Sequence, residues 1–87
     1  MLNKIDVEKI AKDFLLIGDY PIYGAGNVKF PEDRDDPEAI EHFKKNNIAS
    51  VSFQSKYLDD PEHELDPGVY IVYVNLITGE VHMPRHM

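Results

Sequence analysis

Apolar residues near the start of the chain recur with the period of an α-helix. This stripe consists of Val7, Ile10, Ala11, Phe14 and Leu15. The spacing predicts an amphipathic helix with one face in the core, for which Asp6 is the expected N-cap and Gly18 the expected end. We expect Phe14 to reach the same core cluster as Ile71 on the sheet.

The middle of the chain predicts a second, shorter helix followed by a strand. Asp36-Pro37-Glu38 combines an N-cap with a proline at the first helical position, which is a strong helix start. Ile40 and Phe43 would dock this helix on the sheet, and Asn46-Asn47 would end it. Residues 49–55 alternate between apolar and polar side chains, so they predict a strand with one buried and one wet face.

The segment before the second helix is less regular. Residues 20–31 contain two prolines and two glycines, so we interpret them as an ordered connection with a short edge strand at residues 28–30. Gly24 and Gly26 form a single GxG without the third glycine of a dinucleotide-binding fingerprint. We therefore interpret them as a turn.

Residues 69–83, which read VYIVYVNLITGEVHM, predict a β-hairpin. Residues 69–74 are all β-branched or aromatic, as expected of a strand that is central in its sheet or covered on both faces. Residues 75–79 would reverse the chain, with Gly79 in a left-handed conformation, and residues 80–83 would form the return strand. Together these elements predict an α+β fold, in which a long N-terminal helix and a short second helix pack on a small antiparallel sheet.

The length of 87 residues predicts a single domain, residues 1–87. The chain has no cysteine, which excludes disulfides, thiolate zinc sites and cysteine nucleophiles. No signal-peptide pattern is present, and no apolar run approaches the about 20 residues that a membrane span needs. We expect a cytoplasmic protein that does not associate with membranes.

The net charge of −7 is concentrated in two acidic segments. The first contains Glu32, Asp33, Asp35, Asp36 and Glu38, and the second contains Asp59, Asp60, Glu62, Glu64 and Asp66. This distribution argues against direct nucleic-acid binding, which needs clustered lysine and arginine. The segments are either solvated loops that keep the protein soluble or an acidic surface that meets a basic partner.

Candidate chemistry beyond charge is sparse. Tyr57 and Tyr70 are candidate anchors for a partner protein, although half-buried strand and loop aromatics would have the same pattern. His82 and His86 are four residues apart, but Pro84 between them breaks the helix that would place both on one metal. We expect no metal, no cofactor and no catalytic residue.

The last two fifths of the chain carry a family resemblance. The matching residues are Phe53, Tyr57, Leu58, Asp59, Gly68, Ile71, Val74, Thr78, Gly79, Glu80, Val81 and His82. They resemble the small bacterial immunity proteins of the YrhB type (immunity protein 35 family), and similar TGEV hairpins occur in PepSY-type and cystatin-like immunity domains. Asn75 departs from the commoner aspartate.

The resemblance implies a non-catalytic protein, monomeric or homodimeric, that binds and blocks a toxin or enzyme through an acidic, tyrosine-containing surface. A phage-encoded inhibitor of a nucleic-acid-binding defence enzyme would bind through the same kind of acidic surface. A different class also stays open, namely a small enzyme or ligand-binding domain with a pocket between helix and sheet.

Overall fold

The computed structural model describes residues 1–56 and 68–83 and has the α+β fold predicted from the sequence. Its elements in chain order are α1 (Lys4–Ile17), β1 (Ile22–Lys29), a short 3-10 turn (Pro31–Asp33), α2 (Pro37–Lys45), β2 (Ile48–Ser55), β3 (Val69–Asn75) and β4 (Val81–His82). The strands form one sheet in the order β1-β2-β3-β4, with each neighbouring pair antiparallel. Among the described helices, none has the length and apolar character that a membrane crossing requires.

Helix α1 begins earlier than the sequence pattern predicted. Its N-cap is Asn3, whose side-chain oxygen accepts a hydrogen bond from the Asp6 backbone N–H at 2.9 Å. The prediction of Asp6 as N-cap is therefore wrong, because Asn3 is an equally good capping residue one turn earlier. Gly18 ends the helix as predicted, and its N–H donates to the Phe14 carbonyl oxygen at 3.2 Å.

The core lies between α1 and one face of the sheet, which we call the inner face. Val7, Ala11 and Leu15 of α1 have no exposed surface. They pack in one cluster with the inner-face residues Ile22, Val28, Ala49, Val51, Phe53, Tyr70, Val72 and Val74, together with Leu76. This arrangement confirms the buried face of residues 49–55. The predicted wet face is only partly wet, since Ser50 is buried, Ser52 is half-buried and only Gln54 is exposed.

The expected core pair of Phe14 and Ile71 is wrong. Phe14 lies at the margin of the helix stripe and keeps 37% of its surface exposed. Ile71 lies between Tyr70 and Val72, whose side chains belong to the inner face. Because successive side chains of a strand point to opposite faces, Ile71 belongs to the outer face, away from α1.

Strand β1 is longer than the edge strand predicted at residues 28–30. It pairs with β2 through an irregularity, since Tyr23 is opposite Gln54 and Asn27 is opposite Ser52. The interval of four residues from Tyr23 to Asn27 is thus opposite an interval of two residues in β2, which makes a β-bulge in β1. Gly24 and Gly26, which the sequence suggested were a turn, lie in this bulge. Gly24 has a φ of 74°, which favours glycine.

The second helix and the hairpin follow the sequence prediction closely. Asp36 caps α2 by accepting a hydrogen bond from the Glu38 N–H at 3.1 Å. In the hairpin, the Asn75 Oδ1 atom accepts from the backbone N–H groups of Ile77 (2.8 Å) and Thr78 (3.0 Å). Gly79 has a φ of 78°, which confirms the predicted left-handed position, while β4 is shorter than residues 80–83.

Candidate binding site on the outer face of the sheet

The outer face of the sheet carries mainly polar side chains in register. One row of cross-strand neighbours runs from β1 to β4 and consists of Lys29, Ser50, Tyr73 and His82. The next row contains Asn27, Ser52 and Ile71, and a third contains Tyr23, Gln54 and Val69. Helix α2 contacts only part of this face. The inner face is therefore buried under α1, whereas the outer face is only partly covered.

Arg34 joins the segment before α2 to the outer face. Its Nη2 atom donates a hydrogen bond to the Ser50 Oγ atom at 2.6 Å. Its guanidinium carbon also lies 4.1 Å from the centre of the Phe43 ring, which is a cation–π contact. Phe43 in turn packs edge to face on Tyr73, with ring centres 5.6 Å apart. These contacts hold the guanidinium in one orientation between α2 and β2.

A cleft of about 180 Å³ opens beside this arginine. Its lining residues are Asn27, Lys29, Arg34, Ser50, Ser52, Ile71 and Tyr73. All but Ile71 carry side-chain groups that can donate hydrogen bonds. The cleft therefore concentrates two positive charges and several neutral donors in a protein whose net charge is −7.

Two of the carboxylates close to Arg34 in sequence bind backbone groups, while Asp35, directly after the arginine, is exposed. The Asp33 Oδ2 atom accepts a hydrogen bond from the Phe30 N–H at 2.9 Å, and Asp36 caps α2. Within residues 1–56 and 68–83, the guanidinium of Arg34 contacts Ser50 and Phe43, and no carboxylate forms an ion pair with it. Its Nε atom is buried and has no acceptor in that part of the chain.

A second, larger cleft of about 470 Å³ lies at the β3–β4 end of the outer face. Its lining residues are Ile48, Tyr73, Asn75, Glu80, Val81 and His82. Tyr73 thus borders both clefts. Unlike the cleft at Arg34, this one contains the acidic group of Glu80 and lacks a lysine or arginine among its described residues.

The first acidic segment is exposed, as the sequence predicted. Glu32, Asp33, Asp35 and Asp36 are all exposed, on the 3-10 turn and just before α2. Two of the four also stabilise the local backbone, since Asp33 accepts a hydrogen bond from the Phe30 N–H and Asp36 accepts one from the Glu38 N–H. Carboxylates with such local roles can still present charge to a partner.

The other predicted site residues have different outcomes. Tyr70 is only 6% exposed, and its ring packs edge to face on Tyr20 at 5.2 Å. The alternating pattern of β3 places it on the inner face, so in this structure it is a core residue and offers no exposed ring to a partner. The remaining candidates, Tyr57, Asp59, Asp60, Glu62, Glu64 and Asp66, lie outside the described residues.

The sequence interpretation missed the cleft at Arg34. Arg34 is the lone base within the first acidic segment, which was a signal in its own right. Ser50 and Ser52 were assigned to a wet strand face, but their proximity to residue 34 depends on tertiary structure. A charge count alone could not place them together.

The comparisons with known proteins identified no relative of this chain. A scan against protein-family models found no match to this chain. Searches of curated proteins and of solved structures gave no match either. Among the described residues, no group of three or more histidine, cysteine, aspartate or glutamate side chains is placed to hold a metal ion.

Proposed function

We propose that this protein is a non-catalytic immunity or inhibitor protein that binds a toxin or enzyme through a basic surface of that partner. The observation that supports this proposal most is the exposed first acidic segment, with Glu32, Asp33, Asp35 and Asp36 on a short, ordered stretch of backbone. The resemblance of residues 51–83 to immunity proteins of the YrhB type points in the same direction.

The acidic segment is preorganised by its own hydrogen bonds. Asp33 binds back to the Phe30 N–H, and Asp36 binds the first turn of α2. A charged surface that is already ordered loses little conformational freedom when it binds. Its field raises the rate of encounter with a positively charged partner and disfavours negatively charged ones.

Apolar contact area is available on the outer face of the sheet. Tyr23 is 65% exposed and Val69 is 40% exposed, and both lie in the cross-strand row through Gln54 on the outer face. Exposed tyrosines often contribute strongly to protein–protein binding. Tyr23 therefore replaces Tyr70 as the described candidate anchor, beside Tyr57 of the sequence prediction.

The identity of the partner distinguishes the two inhibitor hypotheses. A bacterial toxin and a nucleic-acid-binding defence enzyme both present basic surfaces, so one acidic surface suits either. The test is affinity capture from lysate of the source cells at low salt, followed by identification of the retained protein and an inhibition assay with the purified pair.

The capture experiment uses two matched double variants. Glu32→Lys with Asp35→Lys reverses exposed charges without removing either capping carboxylate. Asp6→Lys with Asp13→Lys changes the net charge equally at exposed sites on α1, on the other side of the sheet. We expect the partner to be retained by the wild type and the control and lost by the first variant. Equal retention by both variants, or a captured protein whose activity is unchanged by stoichiometric binding, would contradict the proposal.

A further inference from the structure

We infer that the cleft at Arg34 is a binding site for a small oxyanion, that is, a carboxylate or phosphate group. This inference goes beyond the proposed function and does not depend on it, because it concerns a positively charged cleft and not the acidic segment. It rests on the donors that line the cleft and on the fixed guanidinium of Arg34, whose buried Nε–H has no acceptor among the described residues.

The lining of the cleft has the chemistry of an anion site. Lys29 and Arg34 supply positive charge, while the side chains of Ser50, Ser52 and Tyr73 supply hydroxyl donors. The described lining contains no aspartate or glutamate. Converging donors with two cations favour an acceptor that carries negative charge.

The guanidinium of Arg34 is oriented before any ligand binds. It is held by the Ser50 Oγ atom and by the ring of Phe43. Its Nε–H donor is buried without an acceptor among the described residues, which is costly for a charged group. A guanidinium that is already oriented can bind an oxyanion bidentately with a smaller loss of side-chain freedom than a mobile one.

The charge of Arg34 is not neutralised locally within the described part of the chain. Asp33 and Asp36 lie one and two positions from the arginine and bind backbone N–H groups, and Asp35 is exposed. The volume of about 180 Å³ is below the about 300–1,000 Å³ of pockets for drug-sized ligands, so it suits one small anion or the anionic end of a larger molecule.

The test is an NMR titration of the isotope-labelled protein at constant ionic strength. Inorganic phosphate, acetate and sodium chloride are added separately, and the signals of the Arg34 Nε–H and of the Lys29, Ser50 and Ser52 amides are followed. We expect saturable shifts with a Kd of roughly 1 mM, as a few charge-assisted hydrogen bonds provide. Saturation by phosphate, by acetate or by both supports the inference and identifies which oxyanion the cleft prefers.

Variants separate this site from general charge attraction. Lys29→Gln should weaken the binding about tenfold, because it removes one charge-assisted contact. Lys12→Gln removes the same charge from an exposed position on α1, on the other side of the sheet, and should leave the Kd unchanged. Arg34→Lys keeps the charge but loses the planar fork and should also weaken binding.

Two results would overturn the inference. One is the absence of saturable shifts with both phosphate and acetate. The other is an equal loss of affinity in Lys29→Gln and Lys12→Gln. Because Lys29 is exposed, its substitution keeps the test decisive even if the Arg34 variant does not fold.

Discussion

The backbone comes close to the core at Gly26, and this approach gives a specific stability prediction. A Cβ atom added at this position would lie 2.6 Å from the Phe53 Cζ atom and 2.8 Å from the Val51 Cγ1 atom. Phe53 is 1% exposed and Val51 is fully buried, so neither side chain can move into solvent. Gly26→Ala must therefore displace the bulge of β1 or the packed core.

The size of this effect follows from the overpacking of a dense interior. Extra methyl groups in a well-packed core cost about 1–3 kcal/mol. A chain of this length has a total unfolding free energy of roughly 4–13 kcal/mol, so the loss is a large fraction of it. Each kcal/mol lowers the Tm by about 4–8 °C in a domain of this size.

Urea denaturation followed by circular dichroism measures the effect, and a double-mutant cycle assigns its cause. Phe53→Leu shortens the side chain that the new methyl group would meet, so Gly26→Ala should cost less in the Phe53→Leu background, by about 0.5–3 kcal/mol. Gly24→Ala is the matched control, since its Cβ meets open space and its cost comes from the φ of 74°. Phe53→Leu should not reduce that cost. A loss below about 0.5 kcal/mol for Gly26→Ala, or no coupling to Phe53, would refute this explanation of the bulge.

Two further stability predictions follow from the helix and the hairpin. Leu15→Ala should lower the unfolding free energy by about 2–5 kcal/mol. Phe14→Ala should lower it less, despite the larger side chain, because 37% of Phe14 remains exposed. A lower urea midpoint for Phe14→Ala than for Leu15→Ala would contradict the placement of Phe14 at the margin of the core. Asn75→Ala should cost about 0.5–1.5 kcal/mol, because the exposed N–H groups of Ile77 and Thr78 exchange their side-chain acceptor for water, whereas Asn75→Asp keeps the acceptor. Equal thermal midpoints for these two variants would show that the turn does not depend on that oxygen.

The parts of the fold that follow local chemistry were predictable from sequence. Asp36 and Pro37 start α2 because the capping oxygen and the fixed φ of proline act within one turn of chain. Gly79 reverses the hairpin because a left-handed residue is needed there. In both cases the residues that determine the conformation lie within a few positions of each other.

The parts that depend on distant contacts were not predictable in the same way. The glycines of β1 resemble a turn until the strand pairs with β2 and Gly26 meets the ring of Phe53. In the sequence, Arg34 was recognisable only as the single basic residue of the first acidic segment. Its role depends on contacts with Ser50 and Phe43, which form only in the folded chain. The exposure of Glu32 and Asp35, by contrast, follows directly from the charge pattern.

The central claim, that the first acidic segment steers binding to a basic partner, is tested most directly by association kinetics. The association rate of the captured partner is measured against ionic strength for the wild type, for Glu32→Lys with Asp35→Lys, and for the control Asp6→Lys with Asp13→Lys. A reversal of Asp59, Asp60, Glu62 and Glu64 tests the second acidic segment in the same assay.

We predict that Glu32→Lys with Asp35→Lys slows association at low salt and flattens its salt dependence, because exposed charges act mainly through screened, long-range attraction. Circular dichroism should show an unchanged fold, and the control pair should have the smaller effect. Association rates for the wild type and this variant that are equal at low salt would contradict the steering role of the segment.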